Sequence, residues 1–119
     1  MRLNFLKNKT KDKIESIGEN VQSLIDSEFQ KVNNKPKEDS PLNQAGMRDG
    51  FKIINEYNSE GEFGLAFEHI LYMIYETGIE IDEASWELIT GLGKKMNISI
   101  DHIQKQLEKK KSITKPKLH

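Results

Sequence analysis

The sequence predicts an all-α fold, a single-domain helical bundle of about five helices with short loops. Three observations carry this. Apolar residues recur at spacings of three and four through most of the chain, which is the stripe of an amphipathic α-helix. Residues that start and stop helices stand where those stripes begin and end. No segment reads as a sheet-forming strand, since alternation with a period of two is confined to a few residues. The length, 119 residues, suits one domain with one modest core.

The first stripe is Ile14, Ile17, Val21, Leu24, Ile25, Phe29 and Val32, with Glu15, Glu19, Gln22 and Asp26 expected mostly on the opposite face. This predicts a helix over 11–33, with Glu28 at the edge of the stripe. The stretch from Asn33 to Asp39, with Pro36, Lys35 and Lys37, reads as a loop. Ser40-Pro41 is a start signal, because Ser caps and Pro suits the first helical position. Leu42, Ala45, Met47, Phe51, Ile54 and Tyr57 follow at roughly helical spacing. Gly46 and Gly50 weaken that helix by about 1 kcal/mol each against Ala if interior and exposed. Asn58-Ser59-Glu60-Gly61 reads as a turn.

Residues 62–77 give the strongest helical pattern, with Phe63, Ala66, Phe67, Ile70, Leu71 and Ile74 on one face and Gly78 as the stop. Ile79-Glu80-Ile81 reads as an extended connector, and Asp82 as the cap of a helix lined by Trp86, Ile89, Leu92, Gly93 and Met96. Ser99 is placed to cap a last helix with Ile100, Ile103 and Leu107 inside it. The expected organisation is a basic N-terminal segment (1–10), a helical domain (11–108) and a basic tail (109–119) too rich in Lys to pack.

Composition narrows the function. The chain contains no cysteine, which excludes disulfides and thiolate metal sites and fits a reducing, cytoplasmic setting. No apolar run approaches the roughly 20 residues that span a bilayer. The basic start, Met1 to Lys13, is not followed by the apolar stretch of a cleaved signal. The net charge of −1 hides an asymmetry: residues 45–93 carry ten acids and two bases, whereas residues 94–119 carry eight bases and two acids. An acidic body with basic ends suits a basic protein partner better than nucleic acid. The Lys-rich end also lacks aromatic side chains for stacking on bases.

Signals of catalysis are weak. His69, His102 and His119 have no partner at the i, i+4 spacing of a metal-binding helix. Gly61-Glu62-Phe63-Gly64 lacks the strand and the Lys-Ser/Thr pair of a phosphate loop. Gly91-Leu92-Gly93 falls inside a helical pattern, where small residues allow close packing. The expectation is a non-enzyme with no cofactor and no metal, acting by contact with another protein.

The candidate contact residues follow from a helical projection. On the helix over 62–77 the outward arc holds Glu62, Leu65, Glu68, His69, Tyr72 and Glu76, with Glu68, Tyr72 and Glu76 in one row. A tyrosine amid charge is a frequent binding hot spot; equally, Leu65 and Tyr72 pack under a neighbouring element. A second acidic group is Glu80, Asp82, Glu83 and Glu87, and a third is Glu56, Glu60 and Glu62 before the strongest helix. Asp82 and Glu83 also have a structural reason to stand at a helix N-terminus.

The stretch Phe51 to Ile98 carries Gly61-Glu62-Phe63-Gly64-Leu65-Ala66-Phe67-Glu68, an amphipathic helix, Ile79 and Ile81, an acidic helix start, and Met96-Asn97-Ile98. In these features it resembles the MafI-like family of small bacterial immunity proteins, which accompany polymorphic toxins in contact-dependent competition. The resemblance covers about two fifths of the chain. The helix at 11–33 and the loop after it look like additions to the shorter family form. The resemblance implies a cytoplasmic protein that binds a cognate toxin domain, typically a basic nuclease, and blocks it without catalysis. A helical adaptor that binds another protein without inhibiting it is the other reading the residues allow.

Overall fold

The computed structural model describes residues 2–98, with side chains from Lys9 onward. It consists of four α-helices, α1 (Arg2–Lys31), α2 (Gly50–Ser59), α3 (Phe63–Thr77) and α4 (Glu83–Lys95), and a 3-10 turn at Pro41–Asn43. No strand occurs among the described residues. The helix expected from Ser99 and the tail from residue 109 lie outside them. α2 and α3 pack on each other as a hairpin, α1 lies across both, and α4 packs against α1.

α1 builds one wall of the core. Ile14, Ile17, Val21, Ile25 and Phe29 are buried along it, following the spacing that keeps one helical face inward. The helix begins at Arg2 and not near Lys11, so the basic N-terminal segment is continuous with it. The facing walls are Ile54 from α2, Ala66, Phe67, Ile70, Leu71, Met73 and Ile74 from α3, and Ile89 and Leu92 from α4. Each large aliphatic or aromatic side chain removed from water in this way contributes about 1.5–3 kcal/mol. Gly18 allows α1 to approach α2, since a β-carbon there would stand 3.2 Å from the Ile54 side chain.

The second expected helix is shorter than its apolar spacing suggests. Ser40 does cap, its hydroxyl accepting from the Leu42 N–H at 3.1 Å, but it caps only the 3-10 turn. Gly46 then takes φ +85°, a conformation open to glycine and incompatible with a continuing helix. α2 starts at Gly50, behind an N-cap residue, Asp49, whose side chain makes no capping bond. The cap comes from elsewhere in the chain. Gln22, expected on the outer face of α1, is buried; its Oε1 accepts the Phe51 N–H at 2.8 Å and its Nε2 donates to the Met47 carbonyl at 2.9 Å. Asn58, expected in an open turn, is also buried and donates to the Lys11 carbonyl at 2.9 Å.

All four helices end on a residue in the left-handed region: Asn33 (φ 55°), Gly61 (φ 79°), Gly78 (φ 68°) and Asn97 (φ 62°). After α1, α2 and α4 the next N–H reaches back to the last turn, as in Asn34 to Phe29, Glu62 to Tyr57 and Ile98 to Gly93. These are Schellman closures, which satisfy carbonyls that a helix end leaves open. Val32, expected inside, falls just past the end of α1 and is 41% exposed. Arg48 fastens that end, donating to the Asn34 carbonyl at 2.8 Å and lying over the Phe29 ring at 4.1 Å.

Candidate protein-binding face

The outward arc of α3 divides into two halves. In the C-terminal half a clasp holds the connector between the 3-10 turn and α2. The Tyr72 hydroxyl donates to the Ala45 carbonyl at 2.8 Å with Gln44 Oε1 a second, longer acceptor at 3.3 Å, and Gln44 Nε2 donates to the Glu76 carboxylate at 3.0 Å. His69 Nε2 lies 3.0 Å from the Gly46 carbonyl, and its ring is tilted against Tyr72 with centroids 5.3 Å apart. A β-carbon at Gly46 would stand 2.7 Å from His69 Cε1, so the glycine is needed for the approach as well as for the turn. Burial, and secondarily the Glu76 carboxylate, hold the Tyr72 phenol above its ordinary range. Tyr72 and Glu76 therefore face the protein's own connector. In the row Glu68, Tyr72 and Glu76, Glu68 is exposed and the other two are half-buried.

The N-terminal half is open. Glu60, Gly61 and Glu62 form the corner between α2 and α3, fixed by the Glu62 N–H to Tyr57 carbonyl bond at 2.9 Å. Glu56 and Glu60 at the end of α2, Glu62 just before α3 and Glu68 on it are all exposed. Leu65, in the first turn of α3, is 43% exposed, next to Gly64, which has open space where a side chain would be. The positive end of the α3 dipole lies under Glu60 and Glu62 and offsets part of their mutual repulsion.

The acids before and on α4 belong to the other helix pair. Asp82 works locally, accepting the Ser85 N–H at 2.7 Å, and that bond chiefly holds its carboxyl below the usual range. Glu80, Glu83 and Glu87 are exposed, and Leu88 beside Glu87 is 37% exposed. α4 is fastened to α1 by the Asn20 side-chain amide, which donates to the buried Ser85 hydroxyl at 2.6 Å.

Of the eleven sequence candidates, Glu56, Glu60, Glu62, Leu65 and Glu68 are exposed along the end of α2, the turn after it and the first two turns of α3. Glu80, Asp82, Glu83 and Glu87 stand around the start of α4, and Tyr72 and Glu76 are half-buried and engaged in the clasp at the surface. The clasp partners Gln44, Ala45 and Gly46 had no signal of their own beyond the glycine, because the apolar spacing around them imitates a helix. Among the described residues no three acidic or histidine side chains converge as a metal site, and no helix is long and apolar enough to cross a membrane.

The arrangement thus defines an all-α helical bundle with an acidic, partly apolar corner. Compared with known proteins, the chain matches no family model, no curated protein and no solved structure.

Proposed function

We propose that this chain is an immunity protein, which binds a cognate basic toxin domain through the α2–α3 corner and keeps it inactive without chemistry of its own. The observation that carries the reading is Leu65, 43% exposed at a corner built of Glu56, Glu60, Glu62 and Glu68. An exposed apolar anchor on a segment rich in acids suits a basic surface, where the acids guide approach and the side chain is desolvated on docking. A nuclease has such a surface in the groove that holds phosphates, and acids entering it neutralise the charge that substrate needs. The segment Gly61 to Glu68, which carries the resemblance to MafI-like immunity proteins, supplies three of these five residues.

The test is growth on co-expression with the toxin domain encoded beside this gene, together with recovery of the complex. Rescue with a stable complex that Glu62→Lys with Glu68→Lys disrupts supports the reading. A complex that leaves toxin activity untouched would instead make the chain an adaptor. No rescue and no complex removes the toxin from the proposal.

A further inference from the structure

α4 has a face that no described element covers. Ala84, Leu88, Gly91 and Lys95 fall at i, i+4, i+7 and i+11, one row along the helix, and all four are exposed. Leu88 is the large apolar side chain of this row, 37% exposed beside the almost fully buried Leu92. Gly91 serves no close approach inside the described molecule, since nothing lies within 4 Å of where its β-carbon would stand. A glycine in a helix interior weakens the helix relative to alanine, and its gain is room for something to come close from outside. Glu87 and Lys94 stand seven residues apart on the same flank of the row. Both are exposed, and neither makes an ion pair among the described residues.

We propose that this row is a contact between two copies of the chain, with their α4 helices packed antiparallel about a twofold axis between Leu88 and Gly91. The four positions alternate spacings of four and three, which is the seam of a two-helix contact. Two identical helices sharing that seam in opposite directions bring Leu88 of each over Gly91 of the other. Ala84 comes level with Lys95 of the other copy, whose apolar stem lies along the seam while its ammonium reaches water.

Charge selects a second copy as the occupant. In the antiparallel register Glu87 of each copy lies beside Lys94 of the other, so the contact closes with two opposite-charge pairs related by symmetry. The two helix dipoles also oppose each other. A parallel pairing sets Leu88 on Leu88, leaves Gly91 facing Gly91, and places Glu87, Lys94 and Lys95 each beside its own like. The row therefore carries its complement only when it is reversed. α4 is 13 residues long, so one such pair falls short of the about 1,200–2,000 Å² that stable complexes bury. The dimer is accordingly weak and dependent on concentration. It uses none of the residues of the α2–α3 corner, and its test is independent of the toxin.

Sedimentation equilibrium of the full-length protein, from low micromolar to millimolar concentration, tests the contact. Wild type is expected to pass from monomer to dimer. Glu87→Lys sets cations against cations and Lys94→Glu sets acids against acids, so each variant alone should self-associate at least about tenfold more weakly. An equal mixture of the two should recover a dimer holding one copy of each, because every cation then meets an acid. Leu88→Ala should weaken the dimer with no recovery on mixing with either charge variant. Circular dichroism should show unchanged helical content in all three. A wild type that stays monomeric throughout overturns the proposal, as does a dimer indifferent to both charge variants. Variants that dissociate singly and fail to combine when mixed overturn it as well.

Discussion

At the scale of single residues, the polar side chains that matter most are those that serve backbone groups elsewhere in the chain. Gln22 is the clearest case. It accepts the Phe51 N–H and donates to the Met47 carbonyl from a buried position on α1. Gln22→Ala leaves a helix start and a carbonyl without partners, each costing about 1–3 kcal/mol when buried. We expect a loss of about 2–4 kcal/mol in urea unfolding with an unchanged m value, and frayed amide protection at the start of α2. A glutamine in a stripe of apolar residues was the visible hint, but spacing assigned it to the outer face. Its neighbours Val21 and Ile25 are fully buried, and a long amide beside them reaches the start of α2, where Gly50 carries no side chain to obstruct it. Tyr72 gives a second prediction with a defined sign. Its phenol titrates above the ordinary value in the folded state, so the folded protein holds that proton more tightly than the unfolded chain does. The stabilisation is complete below the unfolded tyrosine pKa and is lost as pH rises through the folded one. Tyr72→Phe should therefore cost about 1 kcal/mol at neutral pH, the worth of the bond to Ala45. It should also flatten the alkaline fall in melting temperature; an unchanged alkaline fall would assign that dependence to other groups.

At the scale of elements, legibility tracked how local the cause was. The stop at Gly78 and the cap at Asp82 depend on one residue and its immediate neighbours, and both are readable in the sequence. So is the buried face of α3, where Ala66, Phe67, Ile70, Leu71 and Ile74 fall as their spacing requires. The start of α2 is not readable, because it depends on Gly46 meeting His69 across the fold and on Gln22 supplying a distant cap. The candidate face behaved likewise. The corner acids are exposed as the pattern indicates, whereas Tyr72 and Glu76 bond to a connector that the spacing had drawn as helix. Asp82 lends itself to a test at this scale. Its carboxyl is held below the ordinary value by the bond from Ser85, so its contribution is present above the unfolded aspartate pKa and lost as pH falls through the folded one. Asp82→Ala should lower the melting temperature at neutral pH and make α4 less protected than α3 in hydrogen exchange. At a pH below the folded pKa, wild type and variant should melt together; a gap that persists there would mean Asp82 does more than cap.

At the scale of the whole molecule, the core and the acidic corner occupy different sides of the same hairpin, so stability and recognition are separable. Ile54 sits where α2 meets α1 and is fully buried; Ile54→Ala should cost about 2–5 kcal/mol, as truncations in packed cores do. Protection from a toxin would then fall because less protein is folded, and lower temperature would restore it. The corner variant Glu60→Lys, Glu62→Lys, Glu68→Lys changes three exposed side chains that make no side-chain hydrogen bond among the described residues. It should lower stability by no more than about 1–2 kcal/mol, from cations replacing acids at the α3 N-terminus. Its effect belongs to encounter: with the attraction reversed, association with a basic partner should slow by about tenfold or more at low salt. Rising ionic strength should shrink the difference from wild type, because exposed charges are screened within about 10 Å at 0.1 M salt. Stopped-flow association across a salt series, read beside a denaturation curve for each variant, separates the two effects. A corner variant that associates as fast as wild type at every salt concentration would move the contact away from the α2–α3 corner, while the core variant's temperature dependence would be untouched by that result.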